Sequence, residues 1–304
     1  MKIFKKINHN PKLALALGYF DGVHLAHQRL ILETVKFAKE NLIKSAVVTF
    51  DKNPASYFTK EKVLNITSTE EKLAQIEALG VDFAYVLDFE EFMHLDGLKY
   101  LEDVLVKNFE PRFIATGFNH TFGRSKDGTP KMLREYSNRF NYEYFELPMQ
   151  KLESCLISST NIREMIKNGY VKNTNLLLGR SFSIKNNVVS GQKVARKLGY
   201  PTANIFWPSN LVTLKYGVYF GYAVVDKTYP ALINWGVRPT ITDGEEEVLE
   251  AHILNFDQQI YGKILKVGFL SKIRDEQKFS SMTELKEQIE ADVENAKKCA
   301  RMFS

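Results

Sequence analysis

The sequence has 304 residues, enough for about two domains of ordinary size, with 44% hydrophobic and 25% charged residues and a formal net charge of +5. That balance excludes a disordered chain, a collagen-like repeat and a disulfide-stapled miniprotein. The charge is compatible with a polyphosphate ligand but lacks the basic clustering of a dedicated nucleic-acid binder.

The apolar run Leu13–Leu17 is too short to span a bilayer. Asp21 and two histidines follow it instead of a small-residue cleavage site, so it is not read as a signal peptide. Cys155 and Cys299, far apart, suggest a reducing cytoplasm and no cysteine metal set. No nucleic-acid or membrane partner is expected.

In chain order, Leu13–Leu17, Ala46–Phe50, Phe83–Leu87 and Phe113–Thr116 read as short buried strands. Helical patterns over Leu25–Lys39, Glu70–Leu79 and Leu98–Phe109 separate them. Such alternation predicts right-handed crossovers and a doubly wound parallel sheet, with ligands at the carboxyl ends of its strands. A further helix starts near Ser159–Thr160 and stops at Asn168-Gly169.

Beyond about residue 180 the pattern changes. Phe182–Val189, Val218–Val225, Leu232–Trp235, Val248–Leu254 and Ile264–Leu270 read as strands separated by Gly, Pro and Asp turns. They predict an antiparallel sheet closed into a barrel or sandwich. A final helix, about 282–302, carries the stripe Leu285, Ile289, Val293, Ala296 and Ala300. The boundary is expected at 170–180, giving domains 1–172 and 173–304.

Three motifs in the first half suggest chemistry. Residues 18–28 read GYFDGVHLAHQ directly after a strand, and glycines there let backbone approach a ligand closely. His24 and His27 share one face at the start of a helix, where free N–H groups and the positive dipole end favour an anion. Residues 157–163, ISSTNIR, place Ser159, Thr160 and Arg163 at a second helix start. Residues 117–123, GFNHTFG, follow a strand at its carboxyl end and contain Asn119. Each has a plainer alternative: a turn with incidental histidines, a helix cap, a connecting loop.

In this order and spacing, the three motifs resemble the nucleotidylyltransferase half of the bacterial bifunctional riboflavin kinase/FMN adenylyltransferase (FAD synthetase) family. The resemblance implies that His24 and His27 bind ATP phosphates and steady the transition state. Gly18, Phe20 and Asp21 would shape the ATP site, Ser159, Thr160 and Arg163 would hold the triphosphate, and Asn119 would lie near the nucleotide or flavin phosphate. Ala26 departs from the glycine the family usually has between its two histidines. His120 stands where another residue, often aromatic, is more common.

In the second half, GYPTAN (199–204) puts Thr202 and Asn204 two apart, on one side of an extended segment. A hydroxyl and an amide oxygen suit Mg²⁺ and phosphate; two solvent-facing polar residues are the alternative. Gly191 and Lys193 belong to a basic loop that either closes over phosphates or is a solvated hairpin tip. Glu250 lies in a strand pattern, with His252 on its face. A carboxylate there can accept the proton of an alcohol, or simply face water.

GYPTAN, NWGVRPT, EAHILNF, YGK and IRDEQKF resemble the riboflavin kinase domain of the same family. That resemblance implies a six-stranded antiparallel barrel with a C-terminal helix, Thr202 and Asn204 on Mg·ATP, Glu250 as general base toward the riboflavin 5′-hydroxyl, and Arg274 near the flavin. Ser190 and Val194-Ala195 depart from the family's histidine and its arginine–glycine pair. The expected substrates and products are ATP, riboflavin, FMN and FAD, with Mg²⁺. Two alternatives stay open: activity in one half only, as in a monofunctional riboflavin kinase, or a flavin-sensing module without turnover.

Overall fold

In a computed structural model, which describes residues 1–59, 62–191, 195, 198–239 and 245–301, the chain divides into two compact units, Met1–Asn161 and Ile162–Ser304. The first contains strands β1 (Lys2–Phe4), β2 (Leu13–Leu17), β3 (Lys44–Phe50), β4 (Phe83–Leu87), β5 (Phe113–Gly117) and β6 (Glu143–Leu147). They form one sheet in the order β1-β4-β3-β2-β5-β6, with every neighbouring pair parallel. Helices α1 (Leu25–Glu40) and α2 (Thr69–Ala78) follow β2 and β3. Helix α3 begins at Gly97–Lys99, continues as a π-helix over Tyr100–Val106 and ends at Lys107–Phe109. Helix α4 (Pro130–Phe140) precedes β6, and a small hairpin, β7 (Lys151–Leu152) and β8 (Cys155–Leu156), leads into α5 (Ser159–Lys167).

The side-chain alternation of β2 builds two cores. Leu13, Leu15 and Leu17 pack on one face with Tyr100, Leu101, Val104, Leu105 and Phe109 of α3. Ala14 and Ala16 pack on the other with Leu30, Ile31 and Val35 of α1 and Ile76 of α2. Small alanines there let the helices approach closely, while leucines fill the opposite side. The strand order reverses beside β2: the chain runs outward through β3 and β4, then returns to β5 on the other flank. In open α/β sheets such a reversal forms the crevice that binds ligands, here at the carboxyl ends of β2 and β5.

In the second unit, α6 (Val171–Leu178) occupies the stretch in which the boundary was expected. It ends at Gly179, whose φ of 67° suits a residue without Cβ. Strands β9 (Phe182–Asn187), β10 (Ala203–Ile205), β11 (Gly217–Val224), β12 (Thr228–Pro239), β13 (Glu245–Ile253) and β14 (Ile264–Asp275) are antiparallel in the order β10-β13-β12-β11-β14-β9. A bridge between Val189 and Asn204, with N–H···O at 2.8 Å, joins the two edges and closes the barrel. Helix α7 (Met282–Arg301) lays Val293 and Ala296 against Val218, Phe220, Leu232 and Leu254.

The expected parallel sheet, barrel and terminal helix are all present. The sequence reading missed β1, β6, the β7–β8 hairpin, α4 and α6, and did not foresee the π-helical middle of α3.

Candidate active sites

At the crevice, the chain leaves β2 through Gly18 and turns sharply. Phe20 has φ 58°, Gly22 78° and Val23 38°. Two of these three left-handed residues are not glycine, and one is β-branched, so the turn persists only because its surroundings hold it. The Asp21 carboxylate accepts the backbone N–H of Ile66 at 2.9 Å and of Thr67 at 3.4 Å. Gly22 N–H donates to the Thr67 hydroxyl, and the Ser159 hydroxyl donates to Asp21 O at 3.0 Å. Asp21 and Ser159, read from sequence as ligand contacts, thus also fix the turn.

His24 caps α1: its Nδ1 accepts the His27 backbone N–H at 3.3 Å, which leaves the proton of a neutral His24 ring on Nε2. The two imidazoles stack with centroids 3.6 Å apart, and Phe20 packs edge-on against His27 at 5.2 Å. Ala26, the departure between them, lies within α1 and packs against the Ala14/Ala16 core. Thr160 follows Ser159 at the start of α5, where Asn161 N–H is capped by Ser158. Arg163 stands one turn further along, beyond the division between the units.

Asn119 is exposed on the loop after β5, across the switch point from the histidines. His120 N–H closes a turn onto Gly117 O, and its ring stacks on Phe122 at 5.7 Å. Burial pushes the His120 pKa down to about 4, although the residue as a whole is only half-buried. The imidazole is neutral at pH 7. Asp127 pins the loop by accepting Gly97 N–H at 3.1 Å.

The barrel assembles the second site by register. Glu250 on β13 stands opposite Asn204 on β10 and opposite Asn234 on β12; Asn234 in turn pairs with Val218, and Val218 with Arg274. Directly paired residues share a sheet face, so one row across five strands carries two amides around a carboxylate and ends at a guanidinium. An open cleft lies over the Glu250-to-Arg274 part of this row, walled by Thr202, Glu250, Asn234 and Arg274 and by Leu285 and Ile289 of α7.

Supporting contacts surround the cleft. His252 Nδ1 lies 2.8 Å from Pro201 O and its ring meets Tyr200 edge-on, tying GYPTAN to β13. Burial pulls the His252 pKa down. Arg274 donates to both carboxylate oxygens of buried Asp292 on α7, with Nη2–Oδ2 at 2.8 Å. A Cβ at Gly191 would sit 2.6 Å from the Asn204 side chain, so glycine is needed there for close approach. Lys193 and Val194 lie outside the described residues.

The structure thus brings together Gly18, Phe20, Asp21, His24, His27 and Ser159 in one unit, and Gly191, Thr202, Asn204, Glu250 and Arg274 in the other. Sequence reasoning gave no role to Asn234, although it opens the NWGVRPT motif, and missed Asp292 and the buried Lys72. A polar residue inside the apolar run Leu232–Trp235 and a lysine four residues before core Ile76 were the available signals.

Among the described residues, no cluster of three or more His, Cys, Asp or Glu side chains could hold a metal ion. The oxygens of Thr202 and Asn204 next to Glu250 form instead a hard donor set that fits Mg²⁺ sharing phosphate ligands. No helix among the described residues is long and apolar enough to cross a membrane.

Comparison with known proteins gives two family matches, FAD synthetase over residues 6–161 and riboflavin kinase over residues 178–300. Curated relatives named bifunctional riboflavin kinase/FMN adenylyltransferase include one from Buchnera aphidicola (Schizaphis graminum), 34% identical over 97% of this chain and 95% of its own length. Those from Bacillus subtilis (34% identity; 94% and 92%) and Haemophilus influenzae (35%; 93% and 93%) are similar. A crystal structure described as a macrolide-efflux protein from Streptococcus pneumoniae matches with TM-score 0.88 and 32% identity, over 98% of this chain and 99% of that one.

Proposed function

Since the chain belongs to the bifunctional riboflavin kinase/FMN adenylyltransferase family, we infer that it makes FMN from riboflavin and FAD from FMN, each at the expense of one ATP. The division we adopt, 1–172 for adenylyl transfer and 173–304 for the kinase, falls between the two family matches. The observation that carries the reading is the Asn204–Glu250–Asn234 row, whose Glu250 and Asn234 line an open cleft. This is a carboxylate held between neutral amides, where an alcohol can be deprotonated.

In the kinase half, Glu250 accepts the proton of the riboflavin 5′-hydroxyl as oxygen attacks the γ-phosphorus of ATP and ADP leaves. Thr202 and Asn204 would hold Mg²⁺, which supplies neutralisation of phosphate charge. Gly191 and Lys193 border the phosphates, and Arg274 faces the flavin. Positioning supplies most of the rate in such transfers.

In the adenylyltransferase half, the FMN phosphate attacks the α-phosphorus and pyrophosphate leaves. The nucleophile is already anionic, so no strong base is required. His24 and His27 donate to the developing phosphate charge, and Ser159, Thr160 and Arg163 hold the triphosphate. Gly18, Phe20 and Asp21 shape the turn around ATP, and Asn119 meets the flavin phosphate across the crevice. The substrates are small molecules, and we place this chemistry in the cytoplasm, in keeping with free Cys155 and Cys299.

Chromatography of products from riboflavin and Mg·ATP tests this. The intact protein yields FMN and then FAD. Glu250→Gln lowers FMN formation by about 100-fold or more and spares FMN-to-FAD conversion; His27→Ala does the reverse. FMN accumulating without FAD leaves a monofunctional kinase, and tight flavin binding without ATP consumption leaves a sensor; either result overturns the reading.

A further inference from the structure

Lys72 is a lysine with only 2% of its surface exposed. It lies on the core face of α2, one turn before Ile76. Its Nζ spends three hydrogen bonds on the ends of two adjacent strands: Tyr19 O at 3.1 Å just past β2, and Thr49 Oγ1 at 3.2 Å and Phe50 O at 3.1 Å at the end of β3. The ammonium also sits 4.0 Å above the centroid of the Tyr19 ring. Thr49 completes the junction by donating its own hydroxyl proton to Tyr19 O at 2.9 Å.

A buried ammonium is a costly way to fill a core. A methionine of similar length would pack there without desolvating a charge. What the lysine adds is an anchor at the entry of the strained turn. Asp21, Gly22 and Asp21 O are tied down by Ile66, Thr67 and Ser159; Tyr19 O, immediately before left-handed Phe20, is tied down by Lys72 and Thr49. The turn then delivers His24 and His27. We propose that Lys72 is a positioning residue for adenylyl transfer, a buried cation that fixes the Tyr19–Val23 turn and holds positive potential beneath the phosphate-binding crevice.

This rests on the adenylyltransferase reading of residues 1–172. Burial pulls the Lys72 pKa down to about 8, with Asp21 and Asp51 opposing the fall. Among the described residues, Asp21 and Asp51 are the carboxylates that act on it, and the Tyr19 ring faces it. The ammonium is therefore lost at mildly alkaline pH, ahead of ordinary lysines.

The test uses the full chain, with riboflavin phosphorylation as the control inside the same molecule. Lys72→Met should lower kcat for FMN-to-FAD conversion by about 10- to 100-fold, the scale of sub-ångström misplacement, with KM for ATP within about threefold. FMN formation should stay unchanged. In the parent, FAD formation should fall above pH 8 while FMN formation does not. Thr49→Val, which removes only the hydroxyl, should give a smaller loss of the same kind and serves if Lys72→Met does not fold. A parent that makes FMN but no FAD overturns the adenylyltransferase reading, and this proposal with it. A parent that makes FAD, with Lys72→Met or Thr49→Val equally fast and no alkaline fall, overturns the role of Lys72 alone.

Discussion

The pair formed by Arg274 and Asp292 supports a quantitative prediction. The Asp292 side chain is 3% exposed and receives the Nε and Nη2 groups of Arg274 together with Gln288 Nε2 at 2.9 Å. Removing one partner of a buried ion pair costs about 3–5 kcal/mol, because the survivor is left uncompensated. The Arg274 side chain keeps 21% of its surface exposed and retains a bond to Asp275 O. Solvent screening therefore puts Asp292→Ala near the lower end, about 3 kcal/mol. Both tryptophans, Trp207 and Trp235, lie in the second unit, so their emission reports its unfolding alone. With a urea m-value of about 2 kcal/mol/M, the midpoint of that transition should drop by about 1.5 M. FMN-to-FAD conversion should persist below the new midpoint, while the riboflavin KM rises as Arg274 loses its support. A midpoint shift under about 0.3 M would refute the claim that this pair fastens α7 to the barrel.

Two other perturbations follow from the same geometry. Gly191→Ala places a methyl group against the Asn204 side chain; it should lower FMN formation by about tenfold or more through misplacement and leave FAD formation from added FMN unchanged, read by the product assay. His120 acts on stability through pH. Its folded pKa of about 4 lies below the ordinary 6.5, so between these values the unfolded chain binds a proton that the folded one refuses, and stability falls as pH drops below 6.5. The linkage amounts to about 1 kcal/mol by pH 5 after allowance for partial exposure. The unfolding transition invisible to tryptophan emission, followed by circular dichroism, should therefore lose less on acidification in His120→Phe than in the parent. Equal losses would remove His120 as the cause.

The strands legible in the sequence were those whose surroundings made them uniformly apolar. β2, LALAL, is covered by helices on both faces and is buried throughout, so a bare hydrophobic run located it. β6, EYFEL, is an edge strand with a half-wet face, and its run is broken by glutamates. α4 fully buries only Leu133; Tyr136 and Phe140 line up behind it at spacings of three and four and pack on the same core, a short stripe among charged residues that was available and went unread. The middle of α3 keeps its apolar face through the π-helical segment, which is why periodicity found a helix there without its type. The site motifs were legible because they sit at strand ends and helix starts. The residues behind them were not: the pairing of Asn234 with Glu250 is a matter of register, and that of Arg274 with Asp292 spans a strand and a helix.

The two sites differ in charge in the sense that their chemistries require. Adenylyl transfer starts from an anionic phosphate, so a buried ammonium beneath the crevice helps and a strong base would add nothing. Phosphorylation of an alcohol needs a base, the role proposed for Glu250. Its neighbours in the row are the amides of Asn204 and Asn234. Arg274 lies three strands along the row from Glu250, and its charge is already met by Asp292. The ion pair that fastens α7 therefore also holds a guanidinium in the wall of the cleft with its charge already met.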